Sequence, residues 1–255
     1  MFSRRTIVKG LGGTPLAVVL ADPLIARAVA GTLDTVTLAR PDGKKVSAAL
    51  ALPDASTAPA VLLIHEWWGL NDQIKAVAAE LAKEGYIALA VDLYDGNVAV
   101  TPEDARRYVS AVDAADATAT LAAWMGWLRA HAKGNGKLAT LGWCFGGAWS
   151  LNASLAAPAD ATVIYYGRVP DSAATLAALK GPVMGHFAGK DKFITADKMV
   201  PAFQAALAAA GKESSIHIYP DSDHAFANPT GARYDAGDAA TAWRRTLAFL
   251  NANLR

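Results

Sequence analysis

Two hydrophobic patterns alternate along most of the chain. Continuous apolar runs at residues 60–64 and 87–91 are typical of strands that are buried on both faces of a parallel sheet. Between them lies a segment, ending at Gly85, whose apolar residues follow the i, i+3, i+4, i+7 spacing of a helix with one buried face. The apolar positions of this segment are Ile74, Val77, Ala78 and Leu81. Strand, helix and strand in succession predict a βαβ unit with a right-handed crossover.

The pattern is weaker at the start of the domain and resumes towards the C-terminus. Residues 32–40 and 46–52 alternate weakly around the turn sequence PDGK, which predicts an antiparallel hairpin at the sheet edge. Helical sequence runs with little interruption from Thr101 to about residue 132. Further strands are predicted at 137–141, 161–166, 182–188 and 214–219, and further helices at 173–179, 196–210 and 238–251. This order predicts a doubly wound α/β domain with a mostly parallel sheet.

Composition narrows the class of protein. A chain of 255 residues with 53% hydrophobic residues suits one large domain with a sizeable core. The net charge of +1 gives no electrostatic reason to expect a nucleic-acid partner. The single cysteine excludes an intrachain disulfide and any metal site built from several cysteines.

The first thirty residues differ from the rest of the chain. Arg4 and Arg5 precede an apolar stretch at 10–21, and the triplets 26–28 and 28–30 fit A-x-A cleavage signals. This order resembles a twin-arginine export signal. We therefore expect residues 1–30 to be a signal segment that the export machinery recognises, 31–255 to be the α/β domain, and the protein to be periplasmic. An amphipathic N-terminal helix of a cytosolic protein and a membrane anchor are the alternatives. With cleavage, the mature chain would start near Val29 or Gly31.

The cysteine lies in the sequence Gly142-Trp143-Cys144-Phe145-Gly146. A G-x-nucleophile-x-G pattern is typical of a sharp turn from a strand into a helix, where side chains beside the nucleophile would collide with both elements. The N–H of Phe145 would then lie at a helix N-terminus, where it could stabilise an oxyanion. A small buried cysteine without catalytic function is the alternative interpretation.

Polar residues also follow other predicted strands. Ligands of an open parallel sheet bind beyond the carboxyl ends of its strands, where we expect Glu66, Cys144, Asp191 and His224. A cysteine nucleophile needs a base within reach, and the base needs a carboxylate to orient it. The chain order of nucleophile, acid and base is that of α/β-hydrolase folds, so Cys144, Asp191 and His224 are the candidate triad. His65 and Glu66 lack the second histidine of an H-E-x-x-H site, so no metal is predicted.

The remaining histidines and nearby acids have simpler interpretations. We expect His131 to cap a helix, His186 to be a hydrogen-bonded core residue and His217 to be a surface or core residue. Asp221 and Asp223 precede His224 in a tight turn and are expected to cap or solvate that loop.

Five segments together resemble the dienelactone hydrolase family: IHEWWGLND, AVDLY, GWCFGG, AGKDKF and DSDHAF. The resemblance spans roughly residues 61–250 and implies an α/β-hydrolase that cleaves lactones and activated esters without a cofactor. It implies that Cys144 is the nucleophile, His224 the base and then the acid, and Asp191 the orienting carboxylate.

The resemblance also implies roles for groups around the nucleophile. The backbone N–H groups of Trp67 and Phe145 would form the oxyanion hole. Glu66 would pair with the resting thiol and help to deprotonate it when substrate binds, which would keep the cysteine unreactive until then.

The sequence departs from the family where family members hold a substrate carboxylate with two arginines. At the corresponding places this chain reads Asp-Gly at 95–96 and Ala-Asn at 227–228. This difference argues against a chlorocatechol-type dienelactone and favours a less charged ester or lactone. The residues expected to line an aromatic pocket are Trp67, Trp68, Tyr94 and Phe226.

The leading hypothesis is therefore a hydrolase of small lactones or carboxylic esters that acts through an acyl-thioester intermediate. We expect a monomer that uses no cofactor and binds a small-molecule substrate. A non-catalytic binding protein with the same fold is one alternative. A thiol redox protein is the other, although the chain has no second cysteine to resolve an oxidised thiol.

Overall fold

One mixed sheet of eight strands runs through the computed structural model, which describes residues 22–255. The strands are β1 (Asp34–Ala39), β2 (Lys45–Ala51), β3 (Ala58–Ile64), β4 (Ile87–Val91), β5 (Gly134–Trp143), β6 (Ala161–Tyr165), β7 (Val183–Ala188) and β8 (Ser214–Tyr219). Their order is β1-β2-β4-β3-β5-β6-β7-β8. The pairs β1–β2 and β2–β4 are antiparallel, and the remaining pairs are parallel. The predicted α/β class with an antiparallel N-terminal hairpin is confirmed.

The helices connect these strands. They are α1 (Pro23–Ala30), α2 (Asp72–Lys83), α3 (Pro102–Ala111), α4 (Ala114–Arg129), α5 (Phe145–Ala156), α6 (Ala173–Leu176), α7 (Met199–Ala209) and α8 (Ala236–Leu254). The long helical sequence after Thr101 contains a break that the pattern did not predict. Val112 is extended, with ψ 114°, and the Asp113 side chain accepts a hydrogen bond from the Asp116 N–H to begin α4.

Layers of helices on both faces explain the continuous apolar runs. On β3, Val61 and Leu63 belong to the cluster that contains the buried residues of α2, whereas Leu62 and Ile64 belong to the cluster that contains most of those of α4. All four side chains are fully buried. Each such side chain stabilises the fold by about 1.5–3 kcal/mol relative to an exposed one. Polar groups can therefore be positioned at the sheet edge where the parallel strands have their carboxyl ends.

The predicted signal segment lies largely outside the described residues. The described part of this segment begins at Asp22, whose side chain caps α1. Helix α1 packs against α2, and Val29 is only 1% exposed. Both predicted cleavage sites lie in α1, so cleavage at either would separate residues of this helix from the domain. Export stays a prediction. Within residues 22–255, no helix is long and apolar enough to span a membrane.

Candidate active site

Cys144 is the single residue between strand β5 and helix α5. Its backbone has φ 54° and ψ −115°, and its N–H donates to the carbonyl of Tyr165 on the neighbouring strand at 2.9 Å. A non-glycine residue with positive φ carries strain on the order of 1–3 kcal/mol, which persists only where the surroundings fix it. The turn thus holds the Cys144 side chain at the edge where the strands end.

Steric contacts explain the two glycines of the motif. A Cβ on Gly142 would lie 2.0 Å from the carbonyl oxygen of Gly146. A Cβ on Gly146 would lie 2.2 Å from the carbonyl oxygen of Ile64 and 2.4 Å from that of His65. Since real Cβ atoms do not approach backbone this closely, the start of α5 packs against β5 only with glycine at 142 and against the end of β3 only with glycine at 146.

The structure brings the three predicted residues Cys144, His224 and Asp191 into one series of hydrogen-bonding contacts. The Cys144 Sγ lies 3.1 Å from Nε2 of His224, and Nδ1 of His224 lies 2.6 Å from Oδ2 of Asp191. The other carboxylate oxygen of Asp191 accepts the N–H groups of Phe193 at 2.7 Å and Ile194 at 3.0 Å. The acid is therefore held by backbone, and the imidazole is held by the acid.

The loops that carry the acid and the base are tied to each other. The Lys190 N–H donates to the carbonyl of Ser222 at 2.9 Å, which joins the loop after β7 to the loop after β8. The Ser222 hydroxyl donates to Asp238 of α8 at 2.7 Å. The His224 N–H donates to the Asp223 carboxylate at 2.6 Å, so of the two roles predicted for Asp223, capping or solvating the loop, this contact is the capping one.

His224 and Asp191 form an ion pair within this series of contacts. Burial alone lowers the pKa of His224, but its hydrogen bonds to Asp191 and Cys144 outweigh burial and raise that pKa to about 10. Burial raises the pKa of Asp191, but its hydrogen bond to His224 and the backbone N–H groups of Phe193 and Ile194 lower it overall. The imidazolium form of His224 is thus stabilised, which is the form that pairs with a thiolate.

Replacing Asp191 by asparagine should remove a pH-dependent part of the stability. The raised pKa of His224 makes a contribution to folding that is complete below its ordinary value of 6.5 and is lost as the pH rises towards about 10. The lowered pKa of Asp191 makes a contribution that is complete above its ordinary value of 3.8 and is lost at lower pH. We expect the free energy of unfolding to differ most between the protein and Asp191→Asn in the window between these two ordinary values.

Urea titrations of both proteins at several pH values between 4 and 10 measure this difference. Because both proteins share every other titrating group, the subtraction isolates the pair. A difference that stays constant up to pH 10 would contradict the ion pair.

Glu66 lies at the end of β3 and is 4% exposed. Its Oε1 accepts the hydroxyl of Tyr166 at 3.2 Å, and its Oε2 accepts Nδ2 of Asn228 at 2.5 Å. Burial raises the pKa of Glu66, which these two donors and the nearby His224 only partly offset. The resemblance implies a resting contact between Glu66 and the thiol, but in this structure the sulfur lies against His224 and Glu66 is held elsewhere.

Tyr166 and Asn228 are site residues that the sequence did not reveal. Tyr166 follows β6 with φ 38°, and its ring lies 5.3 Å from that of His224. The strand pattern includes Tyr166 as one more apolar position, so its hydroxyl gave no signal. Asn228 lies four residues after His224, where the sequence showed only that an arginine is missing.

The N–H groups of Trp67 and Phe145 follow β3 and begin α5, respectively. In the described part of the chain, neither of these N–H groups donates to an acceptor.

His65 connects the segment that follows β3 with the start of α5. Its Nδ1 lies 2.6 Å from the carbonyl of Glu66, its Nε2 accepts the Leu93 N–H at 3.3 Å, and its ring stacks on that of Phe145 at 5.8 Å. Burial lowers the pKa of His65, so its ring is neutral and links these segments through hydrogen bonds and stacking.

The predicted pocket residues divide into two groups. Trp67 and Trp68 are half-buried with ring centroids 4.9 Å apart, and the hydroxyl of the buried Tyr94 donates to the carbonyl of Trp67 at 3.2 Å. Phe226, in contrast, is fully buried behind the ring of Tyr166, so it supports that ring and does not line an open pocket.

Phe193 is an aromatic residue at the site that was not predicted. Its ring lies 5.5 Å from that of His224, and its side chain is 64% exposed. The sequence gave no signal for it because it follows Asp191 in a polar loop.

The other histidines lie outside the site. His186 is buried, with Nδ1 2.9 Å from the hydroxyl of Tyr219 and Nε2 3.1 Å from that of Thr246, which confirms a hydrogen-bonded core histidine. The ring of His217 stacks on that of His186 at 5.5 Å. His131 follows α4 and accepts the Lys133 N–H. No three His, Cys, Asp or Glu side chains of residues 22–255 are grouped to hold a metal ion.

Comparisons with known proteins identify the family. The sequence model of the dienelactone hydrolase family matches residues 46–254. A protein from Saccharolobus solfataricus with a provisional carboxymethylenebutenolidase name is 32% identical over 246 residues, which cover 82% of this chain and 95% of that protein. The carboxymethylenebutenolidase of Pseudomonas putida is 28% identical over 228 residues, which cover 82% of this chain and 92% of that protein.

Solved structures give the same result. A crystal structure from Klebsiella pneumoniae, provisionally named a dienelactone hydrolase, is 28% identical with a TM-score of 0.74 and covers 86% of this chain and 99% of its own. A dienelactone hydrolase-like promiscuous phosphotriesterase from metagenomic libraries shares the fold, with a TM-score of 0.78 at 22% identity over 88% of this chain and 99% of its own. The chain therefore belongs to the dienelactone hydrolase family, and it is an enzyme of the lactone and ester hydrolase class.

Proposed function

We propose that Cys144, His224 and Asp191 are a catalytic triad that hydrolyses small lactones or carboxylic esters through an acyl-thioester intermediate. The observation that carries this proposal is the series of contacts at 3.1 Å from sulfur to imidazole and 2.6 Å from imidazole to carboxylate. Both distances lie within reach for proton transfer and for orienting the base.

The first half of the reaction forms the intermediate. The Cys144 thiolate attacks the substrate carbonyl carbon, and the carbonyl oxygen becomes an oxyanion. The His224 imidazolium donates its Nε2 proton to the leaving oxygen, so the carbon–oxygen bond breaks and the alcohol, or the ring-opened end of a lactone, departs. Asp191 keeps the imidazole in the orientation that this transfer needs.

The second half releases the acid. His224, now neutral, accepts a proton from water while the water oxygen attacks the thioester carbon. The carbon–sulfur bond breaks, and Cys144 returns as a thiolate beside the imidazolium. Each proton that leaves His224 in the first half is thus replaced in the second.

Two backbone N–H groups are available for the oxyanion in both halves. We assign this role to Trp67 and Phe145, whose N–H groups have no acceptor among the described residues. The Phe145 N–H begins α5, where the helix dipole favours negative charge. The close packing of Gly146 on Ile64 and His65 supports the approach of the two segments.

Turnover of simple substrates tests the proposal. The purified protein should hydrolyse a neutral p-nitrophenyl ester and an enol-lactone without added metal or cofactor. Iodoacetamide should inactivate it with one alkyl group on Cys144, and excess ester should slow that alkylation. A protein that turns over neither substrate and whose Cys144 stays inert to iodoacetamide would contradict the proposal and favour a binding function.

A further inference from the structure

The Glu66 carboxylate is held by neutral partners. Its two oxygens accept the hydroxyl of Tyr166 and the amide of Asn228, and both donors are buried. Burial raises the pKa of this carboxyl, and the two donors, one on each oxygen, act against burial by favouring the ionised form, which only accepts. A cation at the place of Asn228 would compensate this charge, whereas an amide leaves it in place.

The orientation of the Asn228 amide is fixed from its other end. Its Oδ1 accepts both the N–H of Thr230 at 3.0 Å and the hydroxyl of Thr230 at 2.8 Å. An acceptor on that side requires the amide nitrogen to face Glu66, so the side chain cannot rotate by half a turn without losing these bonds. Asn228 is 4% exposed, so water does not replace them.

The charges around this position are predominantly negative. The His224 imidazolium and the Asp191 carboxylate cancel, so Glu66 carries the remaining charge, to which the proposed mechanism adds that of the attacking thiolate. Tyr166 links Glu66 to His224, because its hydroxyl contacts Glu66 and its ring lies 5.3 Å from that of His224. Arg233 lowers the pKa of Glu66 from an exposed loop, but no cation of residues 22–255 forms an ion pair with Glu66.

We propose that Asn228 is a positioning residue that holds Glu66 as a fixed negative charge against Tyr166 at the proposed active site, and that this charge selects substrates whose acyl portion carries no carboxylate. The inference rests on the proposed function and names its substrate class: neutral esters and lactones. A carboxylate on the acyl side would meet Glu66 in a site of low dielectric constant, where like charges repel more strongly than in water.

Alkylation of Cys144 tests the inference without requiring turnover. Iodoacetamide and iodoacetate are similar in size, differ in one carboxylate, and both transfer an alkyl group to sulfur with loss of iodide. Cys144 is the only cysteine, so the rates report one site. Relative to their rates with a small neutral thiol, we expect iodoacetamide to exceed iodoacetate by about tenfold or more.

Three variants separate the charge from a structural effect. Glu66→Gln keeps the shape of the side chain and should bring the normalised ratio close to one. Asn228→Arg adds a cation and should favour iodoacetate. Glu213→Gln removes an exposed acid at the amino end of β8, on the opposite edge of the sheet, and should leave the ratio unchanged. If Asn228→Arg does not fold, Glu66→Gln alone decides.

The same preference should appear in turnover. We expect p-nitrophenyl butyrate to be hydrolysed at a higher kcat/KM than mono-p-nitrophenyl succinate, with the gap reduced in Glu66→Gln. Equal normalised rates for the two alkylating agents, or a ratio that Glu66→Gln does not change, would overturn the inference. Failure to turn over both esters would count against the proposed function, while the alkylation ratio would still decide the role of Glu66.

Discussion

Replacing Cys144 by alanine should lower kcat/KM for a neutral p-nitrophenyl ester by on the order of 10⁴-fold or more. The substitution removes the sulfur that lies 3.1 Å from His224 and leaves water as the available nucleophile. Alanine retains a Cβ, so the strained backbone at φ 54° should be unaffected. Steady-state kinetics of the variant and the parent protein measure the effect.

Retained structure is the necessary control for this variant. The circular dichroism spectrum should match that of the parent protein, because the turn is fixed by the bond from the residue 144 N–H to the Tyr165 carbonyl and by the close packing of Gly142 and Gly146, which alanine retains. In the folded variant, His224 and Asp191 would be in place but would have no sulfur to act on. A folded variant that keeps its activity would exclude Cys144 as the nucleophile.

Replacing Gly146 by alanine should destabilise the fold by about 3 kcal/mol or more, because it forces atoms into occupied space. The new methyl group would lie 2.2 Å from the carbonyl oxygen of Ile64 and 2.4 Å from that of His65. Both are backbone atoms at the end of a central strand, so the clash is not relieved by a side-chain rotation. Urea unfolding measures the loss of stability.

Gly126 offers a matched control for this glycine. It lies inside helix α4, and a Cβ there would meet nothing within 4 Å. Gly126→Ala should therefore stabilise the protein by about 0.5–1 kcal/mol through helix propensity. Equal free energies of unfolding for the two alanine variants would show that the turn from β5 into α5 does not need glycine at position 146.

The fold was largely predictable because burial is recorded in the hydrophobic pattern. Strand β4 is apolar at every position since both of its faces are covered by helices, and its predicted limits are those observed. The break at Val112 was not predictable in the same way. Apolar spacing continues on either side of it, and only the capping contact between Asp113 and Asp116 separates α3 from α4.

The site residues that directly follow strands could be predicted from the sequence. The contacts between residues that are distant in sequence could not. Cys144, Asp191 and His224 are each placed by the end of a strand, which local sequence reveals. Glu66 contacts Tyr166, which lies 100 positions further along the chain, and Asn228, which lies 162 positions further. No local sequence pattern encodes these contacts. The same limit applies to Phe226, because a turn with φ 65° at the preceding residue directs its ring into the core.

Capture of the acyl group on the enzyme tests the central claim, that hydrolysis passes through the sulfur of Cys144. The protein would be mixed with p-nitrophenyl butyrate, quenched in acid during turnover, and analysed by mass spectrometry of its peptides. The mechanism predicts one butyryl group on the peptide that contains Cys144, which neutral hydroxylamine removes. Continued turnover with the butyryl group on another residue, or with no acylated peptide at any quench time while p-nitrophenol forms in a burst, would contradict it.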